Sequence, residues 1–184
     1  MQIIDLRLPA CYNVAELYTG LAYPVNLPRY PLRINVGFLL NQPVGTRRDI
    51  HFVFPDLRLS PDLEVTDFSG VVQITRMVQG MFVEFSCTAN TGLECVRCLA
   101  PYNQALATSF QEVYAFRRDQ VTESGLLVPE DGNIDLAPLV NEYMQLEIPI
   151  KPLCRPDCKG LCVECGADLN TETCEHQKSI RVSP

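Results

Sequence analysis

The sequence predicts an α+β fold: mainly antiparallel β-sheet or a small barrel-like core, one main C-terminal helix, and a short cysteine-rich tail. Three observations carry this. Residues 81–89 and 104–114 alternate apolar and polar side chains, the period-2 pattern of half-buried strands. Residues 136–147 repeat their apolar positions with a helical period. Five of the nine cysteines fall in the last thirty-one residues.

Residues 32–114 read as β throughout. Residues 33–40 and 49–54 are short apolar runs on either side of the turn cluster Asn41-Gln42-Pro43-Val44-Gly45, and Pro55 is expected to end the second run. Gly70 opens a run over 71–77, which Gly80 punctuates. Val83, Phe85, Cys87 and Ala89 share one face of the next run; Leu106, Phe110 and Tyr114 share one face of the run after it. Short strands with turn signals between them predict antiparallel pairing.

Residues 120–133 are polar, carry Gly125 and Gly132, and read as a flexible acidic loop. Asp135 suits the N-cap of a helix over 136–147 with an apolar face of Leu136, Leu139, Val140, Tyr143, Met144 and Leu146. Pro149 and Pro152 stop it. At the other end, residues 1–8 alternate weakly, as an edge strand would. The four prolines Pro9, Pro24, Pro28 and Pro31, with Tyr12, Tyr18 and Tyr23, then predict an extended loop. The organisation expected is an N-terminal arm over 1–30, a β-rich domain with acidic loop and helix over 31–150, and a tail over 151–184.

The chain has 184 residues, 47% of them apolar, enough for a packed core. No apolar run approaches the roughly 18–20 residues that span a bilayer. Met1-Gln2-Ile3-Ile4-Asp5 lacks the basic opening of a secretory signal, so a cytoplasmic, reducing location is expected. There, clustered cysteines more often bind metal than form disulfides. The net charge of −7 is uneven: residues 1–110 carry −1, residues 111–150 carry −6, and the tail is neutral. This disfavours an autonomous grip on nucleic-acid phosphates and favours a protein partner, a basic one fitting best.

In the tail, Cys162-Val163-Glu164-Cys165-Gly166 reads as a zinc knuckle: two thiolates at this spacing can turn inward, and the glycine lets the backbone curl toward sulfur. Cys95-Val96-Arg97-Cys98 repeats the spacing in the connection between two strands. Eight candidate Zn2+ ligands result: Cys95, Cys98, Cys154, Cys158, Cys162, Cys165, Cys174 and His176. A closed structural zinc site takes four. The expected site is the local set Cys154, Cys158, Cys162 and Cys165, close together in sequence; the alternative joins Cys162 and Cys165 to Cys174 and His176 while Cys154 and Cys158 meet Cys95 and Cys98. Cys87 lies on an apolar strand face and reads as a small buried hydrophobe; His51 reads as structural.

No phosphate-binding glycine loop, Ser-His-Asp set or carboxylate pair is evident, and a closed cysteine site leaves no open coordination position. A non-enzymatic binding module is the reading; its rivals are a thiol oxidoreductase using Cys95 and Cys98, and a metal-stabilised interaction module of another pathway.

Three segments together resemble the YceD family: Cys95-Val96-Arg97-Cys98-Leu99-Ala100-Pro101; Ile134-Asp135-Leu136-Ala137-Pro138-Leu139-Val140-Asn141-Glu142 with the exit Leu146-Glu147-Ile148-Pro149-Ile150-Lys151-Pro152-Leu153-Cys154; and Cys158-Lys159-Gly160-Leu161-Cys162-Val163-Glu164-Cys165-Gly166-Ala167-Asp168-Leu169-Asn170. The resemblance spans about residues 30–178. It departs at Cys174-Glu175-His176, where the family commonly has Cys-x-Cys. It implies a factor in large ribosomal subunit biogenesis that supports ribosomal RNA accumulation or processing. In that setting the −6 over residues 111–150 makes a basic ribosomal protein or assembly factor the expected partner of the acidic loop, with contact to ribosomal RNA indirect.

Overall fold

Four long strands fold back and forth as one antiparallel meander: β2 (Arg47–Ser60), β3 (Leu63–Arg76), β4 (Gly80–Glu94) and β5 (Pro101–Ala115), in the order β2-β3-β4-β5. The computed structural model describes residues 30–176. The edge strand and loop expected over residues 1–29 lie outside them. A second, two-stranded ribbon pairs β1 (Arg33–Asn35) with β6 (Asn133–Asp135). A single turn of helix, α1 (Gly37–Leu40), follows β1, and the main helix α2 (Ala137–Glu147) follows β6. The four-stranded sheet is open, with β2 and β5 at its edges.

The pairing register collects the alternating apolar residues on one face. Phe85 lies opposite Phe110, Ala89 opposite Leu106, Met81 opposite Tyr114, and all six are buried. Val72 and Ile74 extend this face onto β3. Val140 and Met144 of α2 are fully buried in the same core. The Tyr143 ring stacks on Phe110 at 4.7 Å between centroids, and Phe110 stacks on Phe85 at 5.2 Å. Aromatic pairs at this spacing add attraction to area burial and fix the helix's angle over the sheet.

Several elements differ from expectation. The run over 33–40 is not one strand: after Asn35 the chain turns into α1, and the Asn35 carboxamide oxygen accepts the Gly37 N–H at 3.0 Å. Such side-chain turns compete with strand pairing. Pro55 does not end β2, because β2 is an edge strand and a proline there can direct its missing N–H away from the sheet. β3 starts seven residues before the glycine expected to open it; Asp67, at φ 51, marks a bulge where the β3–β4 register shifts between Thr66 and Ser69.

Helix α2 starts one residue later than expected, with Leu136 rather than Asp135 at its N-cap and no side-chain cap there; the Asp135 carboxylate instead accepts the Ala137 N–H at 3.0 Å in a turn between β6 and α2. Leu146 is 75% exposed, off the apolar face, since it lies about 200° round the helix from Met144. The acidic loop is tied down in part: Ala115 exchanges main-chain hydrogen bonds with Leu126 and Val128, at 3.0 and 2.9 Å. No helix among the described residues is long and apolar enough to cross a membrane.

Candidate metal centre

The β4–β5 hairpin presents Cys95 and Cys98 at its tip, between two fifteen-residue strands. The tail leaves α2 and runs back along this tip: the Val96 N–H donates to the Pro152 carbonyl at 3.0 Å, and the Leu161 N–H donates to the Arg97 carbonyl at 3.0 Å. The Arg97 guanidinium in turn donates to the Cys158 carbonyl at 2.7 Å. These bonds bring Cys154 and Cys158 onto the hairpin cysteines.

Two groups of four ligand atoms result. Cys95, Cys98, Cys154 and Cys158 form the first; Cys162, Cys165, Cys174 and His176 form the second. Within each group every ligand atom lies within 4.8 Å of every other. In the first group Sγ of Cys95 is 3.7 Å from that of Cys158, and Sγ of Cys98 is 3.6 Å from that of Cys154. A disulfide needs about 2.05 Å. Four sulfurs at about 2.3 Å from a tetrahedral zinc would sit about 3.8 Å apart, so this spacing suits an ion at the centre. The soft donor set fits the same ion. The structure therefore brings the eight candidates together as hairpin-plus-tail and tail-only groups; it does not gather Cys154, Cys158, Cys162 and Cys165 into one local set.

The two knuckles share one backbone geometry. In the first, the Cys95 N–H donates to the Ala100 carbonyl and the Leu99 N–H to the Cys95 carbonyl, at 3.0 and 2.9 Å. In the second, the Cys162 N–H donates to the Ala167 carbonyl and the Gly166 N–H to the Cys162 carbonyl, at 2.8 and 2.9 Å. The fifth residue has positive φ in both: 58° at Leu99 and 73° at Gly166. This curl aims N–H groups at the leading sulfur. The N–H of Cys154, opposed by burial and helped by those of Cys98 and Arg97, brings the Cys95 thiol down to about 6. Those of Cys165 and Glu164 bring Cys162 down to about 7.

The neighbours move the other way. Burial, then the sulfurs of Cys98 and Cys158, push Cys154 up to about 12. The Ala100 N–H favours the Cys98 thiolate, but burial and the Cys95 sulfur outweigh it and raise that thiol. Burial and the Cys162 sulfur raise Cys174. Each group thus favours one thiolate and resists a second, as crowded like charges must; a divalent cation removes that resistance. Cys87 is not part of either group; burial pushes it up to about 12.

The groups differ in shelter. Cys95 and Cys158 are 0% and 1% exposed, whereas Cys165 and His176 face solvent. Sequence reasoning missed the scaffold behind them. The Asn170 carboxamide oxygen accepts the Lys159 N–H at 2.8 Å, and its amide reaches Sγ of Cys158 at 3.6 Å. The Asp168 carboxylate accepts the Asn170 N–H at 2.9 Å and holds that amide at 2.7 Å. Asp and Asn two residues apart after a glycine were the available signal.

The fold and site define a small antiparallel β protein whose C-terminal tail closes on a hairpin tip through one soft-ligand group and folds on itself around a second. The profile of the family described as large ribosomal RNA subunit accumulation protein YceD matches residues 83–184, from within β4 through both groups. The chain belongs to the YceD family. It is 30% identical over 161 residues to an uncharacterized protein of Mycobacterium tuberculosis, covering 82% of this chain and 76% of that one. It is 40% identical over 57 residues to the chloroplastic large ribosomal RNA subunit accumulation protein YCED homolog 1 of Zea mays, covering 29% and 20%. Bacillus subtilis YlbN is 28% identical over 103 residues, covering 55% and 59%. No solved structure matches the chain.

Proposed function

We propose that this chain is a non-enzymatic, zinc-binding factor in large ribosomal subunit biogenesis, supporting ribosomal RNA accumulation or processing in the cytoplasm. One observation carries the reading: the stretch matched by a family named for ribosomal RNA accumulation contains all eight soft-ligand residues, in two groups of four. One zinc in the first group would staple the tail to the β4–β5 hairpin, and one in the second would hold the segment 162–176 together beside it. Zinc would supply cross-linking without redox chemistry, and closed four-ligand sites leave no position for a substrate. Cys95 has a lowered thiol but no exposure, which disfavours exchange with a substrate disulfide. The partner would be a ribosomal protein or assembly factor, with ribosomal RNA contacted indirectly.

The test has two arms. Protein purified without added metal is assayed for zinc and free thiols; two zincs per chain with the eight ligands protected are expected. A strain lacking the protein is assayed for the ratio of large- to small-subunit ribosomal RNA, with the wild type or Cys98→Ser supplied in trans. A lowered ratio restored by the wild type alone is expected. Oxidised, metal-free protein would overturn the zinc assignment; an unchanged ratio would overturn the ribosomal one.

A further inference from the structure

A groove of about 700 Å³ runs between the β1–β6 ribbon, the segment 126–131 and the first turn of α2. Its floor is apolar, built from Tyr114, Leu126, Ile134 and Leu139, and Ile134 is fully buried. Its rim is acidic, with Glu130, Asp131 and Asp135. Among the described residues lining it, Arg33 is the one cation, and it is paired with Asp131. The Arg33 guanidinium also lies 5.4 Å from the centre of the Tyr30 ring. The chain thus already seats one guanidinium between a ring and a carboxylate at this rim.

We propose that this groove docks a basic, extended protein segment, a Lys- and Arg-rich strand or tail that lays an apolar side chain on the floor and its cations along the rim. Charge decides between occupants. The rim keeps net negative charge after Arg33 is counted, within a segment 111–150 that carries −6. Nucleic acid would set phosphates against those carboxylates. A purely apolar segment would cover the exposed Glu130 carboxylate and offer it no partner. A basic segment with one apolar anchor satisfies both floor and rim. The negative field reaches the floor: burial, then the charges of Glu112 and Asp135, push Tyr114 up to about 12. This inference deepens the functional reading by giving the partner a chemistry, and rests on that reading for expecting the segment on a ribosomal protein or assembly factor.

The test uses the full chain, isotope-labelled and metal-loaded, titrated with a short synthetic peptide of Lys, Arg and Gly around a central Phe. Amide shifts confined to 126–139 and β1, with a Kd on the order of tens of micromolar, are expected. Glu130 is exposed, so its substitution leaves the fold intact. Glu130→Lys should weaken binding about tenfold, Glu130→Gln by less, and added salt should weaken the wild type. The proposal fails if the shifts map elsewhere, or if Glu130→Lys binds as well as the wild type. It also fails if an oligouridylate takes the groove, or if nuclear Overhauser contacts place residues 1–29 on Leu126 and Leu139. Co-sedimentation of the wild type with large-subunit precursors tests the functional reading separately. Peptide binding without co-sedimentation sinks that reading and leaves the groove; co-sedimentation without peptide binding does the reverse.

Discussion

The carbonyl oxygen of Arg97 occupies the space a side chain at Gly160 would need: a Cβ there would stand 2.9 Å away. Gly160 also has φ +79, and its own carbonyl accepts the Leu169 N–H at 3.0 Å. The tail thus crosses the back of the hairpin tip in direct backbone contact. Gly160→Ala should cost about 2 kcal/mol or more, from left-handed backbone strain plus the clash. Hydrogen exchange should quicken at Cys162 and Leu169 while the middle of β4 stays protected.

Leu99 and Gly166 hold the same place in the two knuckles, yet only one is a glycine. Leu99 is 56% exposed, so its side chain contributes little packing. Leu99→Gly should relieve about 1 kcal/mol of strain, partly offset by unfolded-state entropy, and leave stability unchanged or slightly higher. Gly166→Leu, where nothing crowds a Cβ, should cost about 1–2 kcal/mol through φ alone. Chemical denaturation of both variants checks the pair; a large loss from Leu99→Gly would contradict the shared geometry.

Unequal shelter predicts unequal metal loss. With zinc in both groups, a chelator should remove one ion quickly, through exposed Cys165 and His176, and the second slowly, from around buried Cys95 and Cys158. His176→Ala should remove or further accelerate the fast phase and leave the slow phase unchanged. Cys154→Ser should instead weaken the slow site and free the tail from the hairpin. Stopped-flow release into a chromophoric chelator reads both.

The pH dependence of reduced, metal-free protein follows from the thiols while the groups stay assembled. Cys95 and Cys162 have lowered native values, about 6 and 7 against an ordinary 9.0. Their contribution is complete above pH 9 and is lost as pH falls through that window. Cys154 is raised, so its contribution is complete below pH 9 and is lost as pH rises toward about 12. Melting temperature attributable to the tail should therefore peak near pH 9. Zinc should move the acid limb to lower pH, because binding competes with protons for the sulfurs.

Phe110→Ala should remove the ring that Tyr143 and Phe85 both stack on, at a cost of about 3–5 kcal/mol. Near-ultraviolet circular dichroism should lose aromatic intensity together with α2 protection. A variant that loosened β2 but left α2 protected would argue against this helix-to-sheet link.

The core face was legible because alternation is a local property: Val83, Phe85, Cys87 and Ala89 announce their side of β4 without reference to any other strand. The first half of β3 was hidden, since Asp67, Ser69 and Gly70 interrupt the pattern where the bulge takes up an extra residue. The cysteine spacings named the ligands, but both groupings satisfied a count of four. What separates them is the docking of Gly160, Arg97 and Pro152, contacts between segments with no shared pattern. Proximity in sequence favoured joining Cys158 to Cys162; the turn at Gly160 sends their sulfurs to different groups.

Cys95 meets a partner 63 residues later in the chain, and Cys98 one 56 residues later. During synthesis the hairpin thiols therefore stand exposed until Cys158 has emerged, with strands on both sides already able to pair. Until then they are open to oxidation or to capture by the wrong cysteine. Closure of the first group is a late event in the life of each molecule, and a nascent chain stalled before Cys154 would carry an open hairpin tip that protein quality control could recognise.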